Sequence, residues 1–131
     1  MTTPKRLLKA LDLRDGHHCA WHRPGMCDPD TPTPPHRANR ARGGRPSLHR
    51  LSNLIWLCSR LNGAVESDAL TAEVARDRGV KVRSHDDPAR VPIRHAVHGL
   101  VLLTDDGPPT PISEEEALRR IREGRLYEEA S

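Results

Sequence analysis

The segment that decides the fold is residues 35–68, which read PHRANRARGGRPSLHRLSNLIWLCSRLNGAVESD. After a proline-stiffened extended stretch, it opens an arginine- and glycine-rich loop over residues 36–53. The apolar run at residues 54–57 predicts a short buried strand, and apolar residues at spacings of three and four predict a helix over about residues 59–78. A strand, a loop, a second strand and a helix in this order indicate an α+β domain.

Two helices of this domain are predicted from one apolar face each. An N-terminal helix is indicated by Thr3 as an N-cap, Pro4 at the first helical position and Gly16 as a stop. The helix over residues 59–78 has a longer apolar face, which we expect to be buried. That face contains Leu61, Val65, Ala69, Ala72 and Ala75.

Weaker patterns predict the elements that follow. Alternating residues at 80–83 predict a strand, and residues 91–96 with residues 100–104 predict a hairpin. Ser113 and Glu116 form a capping box, which predicts a short helix to about residue 123.

The composition favours a small domain outside the membrane. The chain has 131 residues, of which 35% are apolar and none is phenylalanine, while prolines number 12 and glycines 9. No apolar run approaches the ~18 residues of a membrane span, and the first residues lack the apolar core of a signal peptide. We therefore expect a soluble, non-secreted, cytoplasmic protein with long loops and a small core.

The charge distribution points to a polyanionic partner. The net charge is only +3, but residues 31–65 contain six arginines and neither Asp nor Glu. Arginine carries a planar fork of donors that matches phosphate. We expect phosphate contacts from four arginines of the loop, Arg37, Arg40, Arg42 and Arg45. A solvated charged loop is the alternative interpretation.

Four polar residues of the same segment could share one pocket: His36, Asn53, Asn62 and Glu66. Asn62 and Glu66 lie four residues apart and project from one helix face. Hydrolysis of a phosphodiester needs a base for water, a cation at the leaving oxygen and positive groups on the phosphates. A neutral histidine can be the base, and amide and carboxylate oxygens suit Mg²⁺ or Mn²⁺.

Several motifs in the right order resemble the HNH endonucleases. The motifs RDGHHC, PHRANRARGG, SNLIWLC and NGAVESD, over residues 14–68, are similar to those of the small HNH proteins of actinobacteria and their phages. More weakly, DDPARVPI and LVLLTDDG resemble the C-terminal extension of those proteins. The resemblance implies a nuclease core with a ββα-metal motif within residues 1–78, and an extension over residues 79–131 with the hairpin and a short acidic helix.

The resemblance also implies residue roles and a function. His36 matches the general base, and Asn53 matches the asparagine that braces its loop. Asn62 stands where the last histidine of the motif usually lies, so the chain is an H-N-N variant with Asn62 and Glu66 at the cation. The implied activity is metal-dependent hydrolysis of DNA, by nicking or cutting with little sequence preference. Phage-encoded relatives imply DNA packaging or replication in the host cytoplasm, with the terminase or other DNA-processing proteins as partners.

A second candidate group consists of Cys19, His22, Cys27 and Cys58. An odd number of cysteines without an export signal argues against disulfides. Many HNH proteins have a structural zinc site made of two Cys-x-x-Cys pairs, and both pairs are broken here. A set of three cysteines and one histidine could still bind zinc tetrahedrally. Three buried thiols that pack as small hydrophobic side chains are the alternative.

Two other functions are open at the level of the sequence. Pro35 stands where the motif often has a metal-binding side chain, which favours a catalytically impaired nucleic-acid-binding module on an HNH scaffold. The acidic segment from Asp105 onward could instead contact a protein partner. The remaining histidines, at positions 17, 18, 49, 85, 95 and 98, are interpreted as surface or turn residues.

Overall fold

Both helices and strands make up the protein in its computed structural model, which describes residues 3–21, 27, 32–38, 49–83 and 86–130 (Pro32 and residues 124–130 for the backbone alone). Within these ranges there are four α-helices, a two-stranded antiparallel ribbon and a three-stranded antiparallel sheet. The predicted α+β class is therefore confirmed. None of the helices in these ranges has the length and apolarity needed to cross a membrane.

Helix α1 spans Lys5–Asp15 and ends at Gly16, as predicted. Gly16 has a left-handed φ of 66°, which glycine adopts at little cost. The start of the helix differs from the prediction, because Pro4 takes the N-cap position and no side chain caps the helix. The apolar face of α1 packs against Leu51, Leu54 and Trp56.

A two-stranded ribbon joins β1 (Pro32–Thr33) to β2 (Leu57–Cys58), and a bridge between His36 and Leu54 continues the antiparallel pairing. Every residue from the 3-10 turn at Leu51–Asn53 to the end of β2 is buried. The ladder is shorter than the strand predicted at residues 54–57, because the two prolines between β1 and His36 have no N–H to donate.

The prediction of a single helix over residues 59–78 is wrong, because the structure has two helices there, α2 (Ser59–Ser67) and α3 (Ala69–Asp77). Asp68 separates them with an extended backbone, and its carboxylate accepts a hydrogen bond from the N–H of Thr71. This break rotates the buried face of α3. Leu61, Val65 and Ala75 are buried as predicted, whereas Thr71 is buried in place of Ala69 and Ala72.

The C-terminal part contains a 3-10 turn at Pro88–Arg90 and the sheet of β3 (Ile93–His95), β4 (Gly99–Leu102) and β5 (Thr110–Pro111). The predicted hairpin is present as β3 and β4, which pair with Ile93 opposite Val101. Strand β5 was not predicted. The last helix, α4 (Glu114–Ala130), is longer than the predicted short helix.

Residues 80–83 do not form the predicted strand and make only one bridge, between Val82 and Ala38. The chain approaches the β3 segment closely just before this bridge. A Cβ on Gly79 would lie 1.9 Å from the carbonyl oxygen of Pro92, and the φ of Gly79 is 76°. Both facts require glycine at this position.

The main hydrophobic cluster draws on both predicted segments of the chain. It contains Trp21, Ile55 and Leu61 from one segment and Val80 and Ile93 from the other, among further residues. Residues 79–103 therefore contribute to the same core as the segment that precedes them.

Candidate functional site

His36 lies on the bridge to Leu54, and the two residues that follow it are held by Asn53. The N–H of Arg37 donates to the carbonyl oxygen of Asn53 at 2.8 Å, and the N–H of Ala38 donates to its side-chain oxygen, also at 2.8 Å. Asn53 is itself buried within the 3-10 turn. The turn thus fixes the backbone on the C-terminal side of His36.

The imidazole of His36 contacts a second histidine. Its Nε2 lies 3.3 Å from Nδ1 of His49, and the ring centroids are 5.1 Å apart in an edge-on arrangement. His49 was interpreted from the sequence as a surface or turn residue, and its place beside His36 was missed. The signal available in the sequence was that the two histidines flank the two ends of the arginine-rich loop.

Lys81 approaches the same residue from the C-terminal part of the chain. Its Nζ donates to the carbonyl oxygen of His36 at 3.4 Å. Burial lowers the pKa of Lys81, and the carboxylate of Glu66 partly opposes this shift. Glu66 is therefore close enough to Lys81 to interact with it electrostatically.

The two oxygen donors proposed for a cation are carried by α2, which packs against β1. Asn62 is half-buried, and Glu66 is exposed one turn further along. Among the described His, Cys, Asp and Glu residues, two groups of three could hold a metal ion, and neither includes His36 or Glu66. The structure thus places His49 and Lys81 next to His36. Within the described ranges, it does not place His36 in a group of three side chains that could bind a metal ion.

Arg37 does not lie where the prediction put it. It was expected to contact phosphate, but its side chain is fully buried. Its guanidinium donates to the carbonyl oxygens of Gly79, Ser52, Pro88 and Val91 at 2.8–3.0 Å. Burial, followed by repulsion from Arg14, lowers the pKa of Arg37 to about 9. Arg37 is therefore a structural residue, and the other predicted phosphate contacts (Arg40, Arg42 and Arg45) lie outside the described residues.

The three cysteines converge, although they are far apart in sequence. Their sulfur atoms all lie within 4.8 Å of one another. Sγ of Cys19 accepts a hydrogen bond from the N–H of Cys58 at 3.4 Å, and Sγ of Cys58 accepts one from the N–H of Leu61 at 3.4 Å. Burial, followed by contact with the other two thiols, raises the pKa of Cys27 to about 12. His22, predicted as the fourth ligand, lies outside the described residues.

A group that the sequence did not reveal joins Asp15, at the end of α1, to His95 and His98 of the hairpin. Nε2 of His95 lies 3.1 Å from one carboxylate oxygen of Asp15, and Nε2 of His98 lies 2.9 Å from the other. Arg14 donates to both oxygens at 2.7 Å. The N–H of Val97 donates to Nδ1 of His95, so the neutral ring carries its proton on Nε2 and donates it to Asp15.

This arrangement leaves the Asp15 carboxylate saturated. Each of its oxygens already contacts one histidine and one Arg14 nitrogen, so no lone pair is left for a cation. Burial raises the pKa of Asp15, but hydrogen bonds from Arg14 and His95 outweigh this and hold it well below its usual range. The group is best described as a buried ionic network that attaches α1 to the hairpin.

Comparisons with known proteins add no relative: no family model matches the chain, and no curated protein or solved structure matches it significantly.

Proposed function

We propose that the protein is a metal-dependent endonuclease of the HNH type that hydrolyses phosphodiester bonds of DNA. The observation that carries this proposal is the position of His36. It lies on an antiparallel bridge, Asn53 holds the backbone that follows it, and a helix with two oxygen-bearing side chains comes after the second strand. These parts occur in the order that a ββα-metal motif requires.

In the proposed mechanism, His36 takes a proton from the water that attacks phosphorus. A neutral His36 that donates from Nε2 to Nδ1 of His49 carries its lone pair on Nδ1. Nδ1 is then the atom that accepts the proton of water. His49 orients the base in the same way that a third group orients the base of a catalytic triad.

A divalent cation fits the donor set of α2, because an amide oxygen and a carboxylate oxygen are ligands that Mg²⁺ and Mn²⁺ prefer. Asn62 and Glu66 would bind this cation, whereas the side chain of Pro35 has no atom that could act as a ligand. When bound, such a cation supplies positive charge to the leaving oxygen and the phosphate. Arg40, Arg42 and Arg45 would hold the DNA strand.

A nucleic-acid-binding module without catalysis is the second candidate function. It is favoured by Pro35 and by the position of His36 and Glu66, since neither belongs to the two described groups whose possible ligand atoms lie within 4.8 Å of one another. It predicts DNA binding that weakens with salt and no cleavage with any metal.

Relaxation of supercoiled plasmid DNA distinguishes the two candidates. Purified protein is incubated with Mg²⁺, Mn²⁺ or EDTA. The His36→Ala variant is treated in the same way, and so is His17→Ala, which alters an exposed histidine just after α1. We expect nicking by the wild type and by His17→Ala with metal, and none by His36→Ala. Binding without nicking under every metal would reject the endonuclease and leave the binding module.

We further propose that Cys19, Cys27 and Cys58, with His22 as the fourth ligand that the sequence predicts, bind a structural zinc ion. This ion would tie the start of α2 to the segment after α1. Tetrahedral Zn–S bonds of about 2.3 Å place sulfurs about 3.8 Å apart, and the sulfur separations here are within 4.8 Å. The two backbone N–H groups that point at sulfur would also stabilise thiolates. Zinc requires deprotonated thiols, so its binding would release protons from this group.

Metal content measured on protein purified without added metal tests the zinc proposal. We expect about one zinc per chain, lost in Cys58→Ser together with a lower thermal midpoint. An Asn substitution at exposed Asp12 is the control and should retain zinc. Protein that contains no zinc would overturn this proposal and support thiols that pack without a metal.

A further inference from the structure

A basic cleft lies on the C-terminal side of His36. It has a volume of about 130 Å³ and is bounded by the end of α3, residues 81–83, the 3-10 turn at Pro88–Arg90 and α4. Five cationic side chains line it: Arg76, Lys81, Arg83, Arg90 and Arg120. Two carboxylates, Asp77 and Asp86, line it as well, so the wall carries a net charge of +3.

Two of these cations are available to a ligand, and a third is already held in place. Arg76 and Arg90 are exposed, and within the described part of the chain their side chains form no ion pair. Arg120 is already oriented, because its Nε contacts Glu116 at 2.8 Å and one NH group donates to the carbonyl oxygen of Arg90 at 2.8 Å. A concave wall with a net positive charge attracts anions.

The cleft is connected to the candidate active site through its wall. Lys81 lines the cleft and also donates to the carbonyl oxygen of His36. Val82, another lining residue, bridges to Ala38, two residues beyond His36. An extended polyanion that passes His36 on this side would therefore reach the cleft next.

We propose that this cleft binds backbone phosphates of the nucleic acid beside the bond at His36. The inference rests on the proposed function, since it assigns a second contact region to the same substrate. Forked arginine donors suit phosphate oxygens, and the apolar lining from Val82, Val91 and Pro92 offers a surface for sugar edges. No base-specific contact is implied, so binding here should be independent of sequence.

The test compares two double variants that remove the same charge. Arg76→Gln with Arg90→Gln alters the cleft, and Lys5→Gln with Lys9→Gln alters the exposed surface of α1. Binding to a short DNA duplex is followed by fluorescence anisotropy over a range of salt concentrations, after circular dichroism has established that both variants fold. The cleft variant should reduce the slope of log affinity against log salt by about 2, equally for unrelated sequences. The α1 variant should leave the slope unchanged.

Three results separate this inference from the proposed activity. If both double variants have the same slope and the wild type cleaves DNA, the proposal that the cleft binds phosphates is rejected and the endonuclease proposal stands. If only the cleft variant has a reduced slope and the wild type never cleaves DNA, phosphate binding in the cleft is supported and the endonuclease proposal is rejected. Inorganic phosphate could shift the NMR signals of the Lys81 and Val91 amides while the two double variants bind DNA equally. This result would indicate a site for small anions and would overturn the assignment to nucleic acid.

Discussion

At the scale of single residues, Arg37 connects segments that are distant in the chain. Its guanidinium donates to carbonyl oxygens near residues 52, 79, 88 and 91, and its own backbone pairs with Asn53 and Val82. A buried cation is tolerated only where its donors are satisfied. These bonds are all made to neutral carbonyls, so the dipoles of four peptide groups take the place of a counterion.

Replacement of Arg37 should therefore destabilise the fold strongly. Arg37→Gln would leave several buried carbonyl oxygens without a donor, and we expect a loss of about 3 kcal/mol or more in the free energy of unfolding. Urea denaturation measures it, with Arg6→Gln on the exposed side of α1 as the matched control. A loss in Arg37→Gln no larger than that in Arg6→Gln would contradict the structural role, and would return Arg37 to the candidates for phosphate contact.

His49 is predicted to orient His36, and two variants separate this role from simple packing. In His49→Asn the side-chain oxygen can accept near the position of Nδ1, whereas His49→Ala has no acceptor. We expect a cleavage rate on the order of tenfold lower in His49→Ala, with His49→Asn closer to the wild type. NMR signals of the His36 ring that are identical in the wild type and in His49→Ala would contradict the contact, even if the protein never cleaves.

At the scale of elements, one side chain determines how the helical segment is divided. Asp68 ends α2 and caps α3, with bonds from both the N–H and the hydroxyl of Thr71. The hydrogen bond to Thr71 lowers the pKa of Asp68, so the cap is ionised at neutral pH and lies at the positive end of the α3 dipole. The break leaves Leu70 exposed and turns Thr71 inward.

Removal of this cap should weaken the fold modestly. Asp68→Ala loses the bonds to Thr71, and we expect the thermal midpoint to fall by about 3–5 °C. Asp68→Asn, which keeps an acceptor oxygen, should lose less, and Glu73→Ala on the exposed face of α3 should have little effect. An unchanged midpoint in Asp68→Ala would mean that tertiary packing, and not the cap, separates the two helices.

At the scale of the whole molecule, the network around Asp15 joins the N-terminal helix to the hairpin of β3 and β4. Arg14 donates to the Asp15 carboxylate and to the carbonyl oxygens of Leu51 and Leu54, while His95 and His98 approach from the hairpin. The N-terminal helix, the buried turn and the C-terminal sheet therefore meet at one carboxylate.

This network predicts a loss of stability in acid. Burial is the largest cause that lowers the pKa of His95 below its usual 6.5, so the unfolded chain binds the proton first and stability falls as the pH drops below that value. The lowered pKa of Asp15 acts in the same direction at still lower pH, below 3.8. We expect the urea midpoint to fall between pH 7 and pH 5, and less steeply in His95→Gln than in His17→Gln. An equal pH dependence in the two variants would exclude His95 as the source.

Much of the fold could be predicted from local pattern. Gly16 as a helix stop, the hairpin at β3 and β4 and the buried run before α2 follow from residue types and spacings that act over a few neighbours. The helix break was missed because Asp68 stands inside an apolar periodicity that continues on both sides of it. Strand β5 was missed because its two residues are too few to show an alternating pattern of apolar and polar side chains.

The sequence by itself determined the mixed α+β class, the helix stop at Gly16 and the hairpin of β3 and β4. Only the tertiary structure decided that Arg37 is buried and that His49 contacts His36. It also decided that Asp15 contacts His95 and His98, which are 80 and 83 residues away in the sequence. The physical reason is that turns and periodicity depend on neighbours in the chain. Burial and charge pairing depend instead on which distant segments share the low-dielectric interior, and spacing in the sequence does not record that.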